Sequence, residues 1–355
     1  HNGDPRRGRT KKRARAATLE EMICTLNRNL FATLARSRRL VSIVAALGVA
    51  LASAGCARGP SPAAAAPAQP PPLEFVGAWG TRGTDPGQLD VPIGVATDAL
   101  GRVYVADAGK SSIEKFTATG GPLLSFGDAW LEKAQGIAVD RGGGIYVAEG
   151  NRVQVFWPEG DRLHVTYGGL LGATGVAVDS DGTYYVSDSK VCRVTAFTAR
   201  GRMLRTWGRR GTADGEFTDP SGVAIGPDGF VYVADDGGAR VQKFTTDGVF
   251  VSSFGQVDTS GNALGSRDAV GLAVSARDIF LVGGGVDPLR VWSLDGHEVQ
   301  IDPAALTAAA APASGADAAQ APAKLRAVAV NIDPGGDLLL LDAASDRVLR
   351  FHLHL

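Results

Sequence analysis

One short pattern recurs six times after residue 73, and it constrains the fold more than any other feature of the chain. It reads "GVATDALGRVYVAD" from Gly94, "GIAVDRGGGIYVAE" from Gly136, "GVAVDSDGTYYVSD" from Gly175, "GVAIGPDGFVYVAD" from Gly222, "GLAVSARDIFLVGG" from Gly271 and "AVAVNIDPGGDLLLLD" from Ala327. The starts lie 42, 39, 47, 49 and 56 residues apart. A period of this size marks an architecture built from one repeated supersecondary unit. Each unit parses into four short strands. In the fourth, "GVAIG", "FVYVAD", "RVQKF" and "VFVSSFG" are the strands, separated by "PDG", "DGGA" and "TTDG"; alternation and turn chemistry set the divisions. The Asp-Gly pairs at Asp181-Gly182, Asp228-Gly229 and Asp247-Gly248 supply the positive φ that tight hairpins need. Four antiparallel strands make one propeller blade. The expected fold class is therefore all-β, a six-bladed β-propeller of four-stranded antiparallel blades. The sixth unit stops after its third strand, at "RVLRFHLHL", and "LEFVGAWG" (Leu73–Gly80) precedes the first unit as the missing outer strand. Pairing the two closes the ring and removes an exposed edge.

The pattern F-G, a glycine-rich stretch, P-x-G-V-A-V-D-x-x-G-x-[IV]-Y-V-A-D and R-[IV]-Q-x-F resembles NHL repeats across residues 73–355. Units one, three and four carry it best. Unit five has "LVGGGVDP" where V-A-D belongs, and unit six lacks the usual glycine. The resemblance implies a propeller that serves as an interaction platform. It leaves as the alternative a propeller enzyme, of lyase or lactonase type, with its site at the central channel. Peptide-amidating lyases share this propeller type and use a zinc site of histidines near the channel. Here His164 and His297 fall in outer strands and His352 and His354 near the last residue, so no catalytic set, metal site or cofactor is expected. Asp179-Ser180-Asp181-Gly182 looks calcium-like but lacks the remaining ligands of a calcium loop.

Residues 1–56 differ in kind. His1–Arg15 holds Arg6, Arg7, Arg9, Lys11, Lys12, Arg13 and Arg15 with only Asp4 opposed, and cannot bury enough apolar surface to pack. Met22 is the expected true start, and "LVSIVAALGVALASAG" has the length of a secretory signal core rather than of a membrane span. "SAGC" resembles the lipobox of bacterial lipoproteins, with Ala54, Gly55 and Cys56 in place and Ser53 where leucine is usual. Cys56 is the expected lipidation site, which anchors a protein without spanning the bilayer. The expected location is across the inner membrane, as a periplasmic or outer-membrane-anchored lipoprotein. Residues 57–72, rich in Pro and Ala, read as a tether. The first 56 residues hold 11 of the 36 basic and 3 of the 37 acidic side chains, leaving 25 against 34 and a net charge of −9. That argues against a nucleic-acid partner, which needs a basic face. Cys192 is the one cysteine left in the repeat region, so no disulfide framework holds it.

An acid ends the second strand and a base starts the third in several units: Asp188 with Arg193, Asp235 with Arg240, Asp342 with Arg347, and Glu149 with Arg152 in a contracted form. Recurrence in most blades argues that these tie each blade together. Function is sought instead in the loops from the fourth strand to the next first strand, and from the second strand to the third, which emerge on one face. That face is expected to carry Arg82, Asp128, Trp130, Glu132, Lys133, Lys190, Arg209, Arg210, Asp214, Asp236 and Asp287. The residues entering the inner strands, Ile93, Gln135, Thr174, Ser221, Val270 and Arg326, are expected to ring the mouth of the channel, where they suit an anionic or hydrogen-bonding ligand. The binding set is thus Arg82, Trp130, Lys133, Gln135, Lys190, Arg209, Arg210, Ser221, Asp236 and Arg326. Residues 301–324 read as a low-complexity insertion between blades five and six. The expected function is a non-catalytic binding or scaffolding propeller at the cell envelope. It would act as a monomer and recognise a protein, peptide or glycan.

Overall fold

The computed structural model describes residues 73–238, 240–255, 271–283, 288–302, 306 and 325–354. The basic stretch, signal, Cys56 and tether lie outside the described residues, as do Val270, Asp287 and nearly all of the insertion. The rest is the expected propeller, with six antiparallel sheets of four strands. In blade three, for example, Ala173–Val178, Tyr184–Asp188, Arg193–Phe197 and Met203–Trp207 run from the axis outward. Leu73–Trp79 pairs with Arg347–Leu353 as the outer strand of blade six, with a register shift between Phe75 and Gly77.

Burial follows position in the blade. Every second strand is buried along its length, as in Val103–Asp107 and Val231–Asp235, because it lies between the neighbouring blades. Outer strands such as Pro122–Phe126 face solvent. The apolar clusters sit between successive blades: Tyr104, Ala106 and Ile113 of blade one pack with Ile137, Ile145, Val147 and Phe156 of blade two. Each fully buried aliphatic or aromatic side chain contributes about 1.5–3 kcal/mol, so the ring is held by its seams.

The recurring G-V-A has a steric cause. A Cβ on Gly136 would lie 2.6 Å from the Thr174 carbonyl oxygen, and one on Gly175 2.4 Å from that of Ser221. Neighbouring inner strands approach too closely there for any side chain. The turn signals hold as well, with φ of 79° at both Gly182 and Gly229. An aspartate just after the inner strand staples the first of these turns: Asp179 accepts the Asp181 and Thr183 amides, each at 2.9 Å, and the Tyr185 hydroxyl at 2.9 Å. The calcium-like quartet is thus a turn.

Blade six corrects the sequence reading. Val330 pairs with Leu340 as Val95 pairs with Val105, and Asp333 closes its turn as Asp98 does. The unit therefore starts at Ala329, not Ala327. Lacking the glycine that marks the other five, the sequence offered a false match two residues early.

Candidate functional site

The six inner strands enclose a channel with a cavity at each end. One, of about 870 Å³, is lined by the starts of the inner strands of all six blades and by second-to-third and fourth-to-first strand loops. The other, of about 810 Å³, lies where the inner strands end. Four aspartates line it, Asp140, Asp179, Asp181 and Asp278; Asp140 and Asp179 are engaged by turn amides and by the Tyr146 and Tyr185 hydroxyls, the latter at 3.1 and 2.9 Å. The first cavity keeps polar groups in reserve, and it is the candidate site.

The repeated acids build the walls of this site. Asp188 accepts the Leu171 and Gly172 amides at 2.8 and 2.9 Å. Asp235 accepts those of Thr218 and Asp219 at 2.8 and 2.9 Å, and Asp107 those of Asp90 and Val91 at 2.7 and 3.1 Å. Each acid thus pins the loop that crosses in from the previous blade. The paired bases are less uniform. Arg152 meets Glu149 at 2.9 Å and Arg240 meets Asp235 at 3.3 Å. Arg193 donates instead to the Gly169 carbonyl at 2.9 Å, and Arg347 to the Ser345 hydroxyl at 3.0 Å.

Of the expected binding set, Gln135, Lys190, Arg210, Ser221 and Asp236 line the cavity, with Ile93 and Thr174 from the expected ring. Thr174 and Ser187 knit the wall: the Thr174 hydroxyl donates to the Pro220 carbonyl at 3.2 Å, and that of Ser187 to the Ser221 carbonyl. The other five lie away from the cavity lining. Arg82 meets Asp346 at 2.5 Å across the seam between blades six and one. Arg209 is held by Glu216 at 2.7 Å within its own loop. The exposed Trp130 ring lies 3.8 Å from the Arg162 guanidinium, and its carbonyl accepts Gln154 Nε2 at 2.7 Å. Lys133 is exposed, its amide tied to Glu149 at 3.3 Å. Arg326 misses the mouth because of the register of blade six. Its place is taken by Val328, with Ala329 and Val330.

Sequence reasoning had no account of the contrast between the two copies of the seam. Arg82 bridges to Leu89, and Arg210 to Phe217, in the same way. The residue facing the first arginine, Asp346, has φ 53°, as have Ser111 and Cys192 at the equivalent place in other blades. At the second seam that residue is Cys192, buried, its thiol pointing to the Ser189 and Thr218 carbonyls. Arg210 therefore lacks the carboxylate that anchors Arg82. Among the described residues neither Arg210 nor Lys190 has a hydrogen-bond or ion-pair partner.

Asp236 is the other reserved group. It is 9 % exposed, and its Oδ1 is buried without a hydrogen-bond partner. Burial, then the charges of Asp219 and Asp235, push its carboxyl up to about 7. The same position holds Ala108, Gly150, Ser189 and Ala343 in other blades, and the doubled Asp235-Asp236 is the sequence signal for it.

The histidines lie elsewhere. His164 is in the outer strand of blade two, its pKa lowered by burial. His297 meets Asp295 at 3.2 Å, His352 meets Asp337 at 2.8 Å and His354 meets Glu74 at 3.0 Å. Among the described residues no three His, Cys, Asp or Glu side chains are grouped to hold a metal ion.

Comparison with known proteins agrees with this architecture. The NHL repeat model matches residues 170–197 and 217–244, so the chain carries NHL repeats within a six-bladed β-propeller. No curated protein matches the sequence. Among solved structures, a streptogramin B lyase is similar at 11 % identity and TM-score 0.53, covering 79 % of this chain and 97 % of its own. Virginiamycin B lyase from Staphylococcus aureus is similar at 12 % identity and TM-score 0.52, over 79 % and 99 %. A catalytically inactive form of that lyase with quinupristin is similar at 13 % and 0.52, over 79 % and 98 %. At such identities the likeness is one of fold.

Proposed function

We propose that this chain is a non-catalytic binding propeller of the bacterial cell envelope. Its N-terminal signal directs it across the inner membrane and a lipid on Cys56 holds it there. The monomeric propeller recognises a protein, peptide or glycan on the face where the cavity of about 870 Å³ opens. The observation that carries this reading is the lining of that cavity. Rigid inner strands present Thr174 and Ser221, with Gln135 at the entry to a third, while Lys190, Arg210 and Asp236 come from the loops above them. Polar groups converging on a preformed concavity are the usual build of a ligand site. The acidic balance of the chain beyond residue 56 speaks against nucleic acid.

Capture from an envelope extract with the purified chain is the test. The wild type retains a defined partner, and Ser221→Trp, which sets an indole into the cavity, releases it while unfolding at the same temperature. Capture that survives Ser221→Trp overturns the placement of the site.

The second reading, a lyase or lactonase, draws on one observation. Asp236 has a pKa of about 7 in a channel mouth, and acids tuned in this way suit proton transfer. The neighbours in fold are named as lyases. Stoichiometric zinc or calcium in the purified chain would favour this reading over binding alone.

A further inference from the structure

The candidate site gathers one buried acid and two cations, and among the described residues the scaffold answers none of them. Asp236 is held by its own amide, which donates to the Asp219 carbonyl at 3.0 Å, and by the 3-10 turn Asp236–Gly238. The charges that raise its carboxyl are like ones, Asp219 and Asp235. Asp235 is already engaged by two amides and Arg240. A buried carboxyl with an unpaired oxygen is costly, and blade four bears that cost where other blades carry Ala, Gly or Ser. Lys190 and Arg210 come from the second-to-third strand loop of blade three and from the seam between blades three and four, so they adjoin the same wall of the cavity.

We propose that this cavity binds a short peptide as a zwitterion, with its ammonium group at Asp236 and its terminal carboxylate at Lys190 and Arg210. The proposal rests on the binding reading of the same site and names its ligand class. An ammonium beside Asp236 supplies the opposite charge that Asp219 and Asp235 withhold. A carboxylate on Arg210 replaces the bond that Asp346 gives Arg82, in the bidentate geometry that guanidinium favours. A wholly anionic ligand would meet Asp236 and Asp219, and a wholly cationic one would meet Lys190 and Arg210. A molecule with both charges satisfies each side. The volume suits a few residues, since small-ligand sites enclose roughly 300–1,000 Å³.

The probes are three pooled tripeptide libraries, one with both ends free, one N-acetylated and one C-amidated. Each is offered to the purified full chain, and retention is read by ultrafiltration and mass spectrometry. The free pool is expected to be retained, and blocking either end to weaken retention roughly tenfold or more, the scale of one charge-assisted bond. Lys190→Ala and Arg210→Ala should weaken the free pool but not the C-amidated one. Lowering the pH from 7.5 to 5.5 protonates Asp236, whose carboxyl is pushed up to about 7. The affinity of the wild type should then fall by up to about tenfold per pH unit, and Asp236→Asn should lose both the affinity and the slope. Equal retention of the N-acetylated pool, or retention of no pool, overturns the proposal. If no pool binds while Ser221→Trp still releases a captured partner, the peptide assignment falls and the binding reading stands. If peptides bind and capture ignores Ser221→Trp, the proposed role falls instead.

Discussion

Replacing Asp235 by alanine should unfold the mouth of the channel before it harms the ring. The side chain is completely buried and holds three groups: the Thr218 amide at 2.8 Å, the Asp219 amide at 2.9 Å and Arg240 Nε at 3.3 Å. Without it both amides lose their acceptor, at about 1–3 kcal/mol for each unsatisfied group. Arg240 is offset in part because it also donates to the Ala213 and Glu216 carbonyls, at 3.0 and 2.8 Å. Losing one like charge beside Asp236 returns a little. The losses win, and the expected cost is about 3–5 kcal/mol, the range for breaking a buried charged pair by deleting one partner. For a ring of this size that lowers the melting temperature by roughly 5–15 °C. Asp235→Asn keeps one acceptor and should cost about half as much. The assay is urea unfolding of both variants, with amide hydrogen exchange at Thr218 and Asp219 to localise the effect. An alanine variant within about 0.5 kcal/mol of wild type, inside the ordinary surface range, would refute the claim that these acids pin the crossing loops.

Gly175→Ala places a Cβ 2.4 Å from the Ser221 carbonyl oxygen and 2.9 Å from the Val223 amide nitrogen, and should cost about 1–3 kcal/mol as overpacking. Gly77→Ala, with nothing within 4 Å, should be near neutral in the same urea titration. The raised carboxyl of Asp236, at about 7, keeps its proton in the folded chain after the unfolded chain has lost it. Its contribution to stability is complete below the unfolded value of about 3.9 and is lost as pH rises through about 7. Wild type should therefore weaken relative to Asp236→Asn across that window, and parallel profiles of the two would deny the shift. Cys56→Ser should move the protein from the membrane to the soluble fraction, and unchanged fractionation would remove the lipid anchor from the proposal.

The fold was legible because a repeat writes the same physical demand six times. Glycine where inner strands touch, an acid where a loop needs pinning and Asp-Gly where a hairpin turns are each local, and each recurs. Reading failed where recurrence thinned. At blade six the approach of a neighbouring strand is met by Ala329 rather than glycine, and the lost marker displaced the register by two residues. That single slip exchanged Val328 for Arg326 at the channel mouth and so offered a cation that the cavity lacks.

The site was half legible for the converse reason. Charge in a loop identifies candidates, but whether a charge is free depends on what faces it from another blade. Arg82 and Arg210 stand in the same phrase of the sequence and in the same bridge of the fold. Only the residue across the seam separates them, Asp346 for one and Cys192 for the other. That residue lies 264 positions from Arg82 and 18 from Arg210, so no local pattern couples the two. The decisive experiment on this point is to restore the first seam at the second. Cys192→Asp should give Arg210 the partner that Arg82 has, draw it out of the cavity and weaken a carboxylate-bearing ligand roughly as much as Arg210→Ala does. If Cys192→Asp folds and binds as the wild type, Arg210 was never the reserved group, and Lys190 alone must supply the positive side of the site.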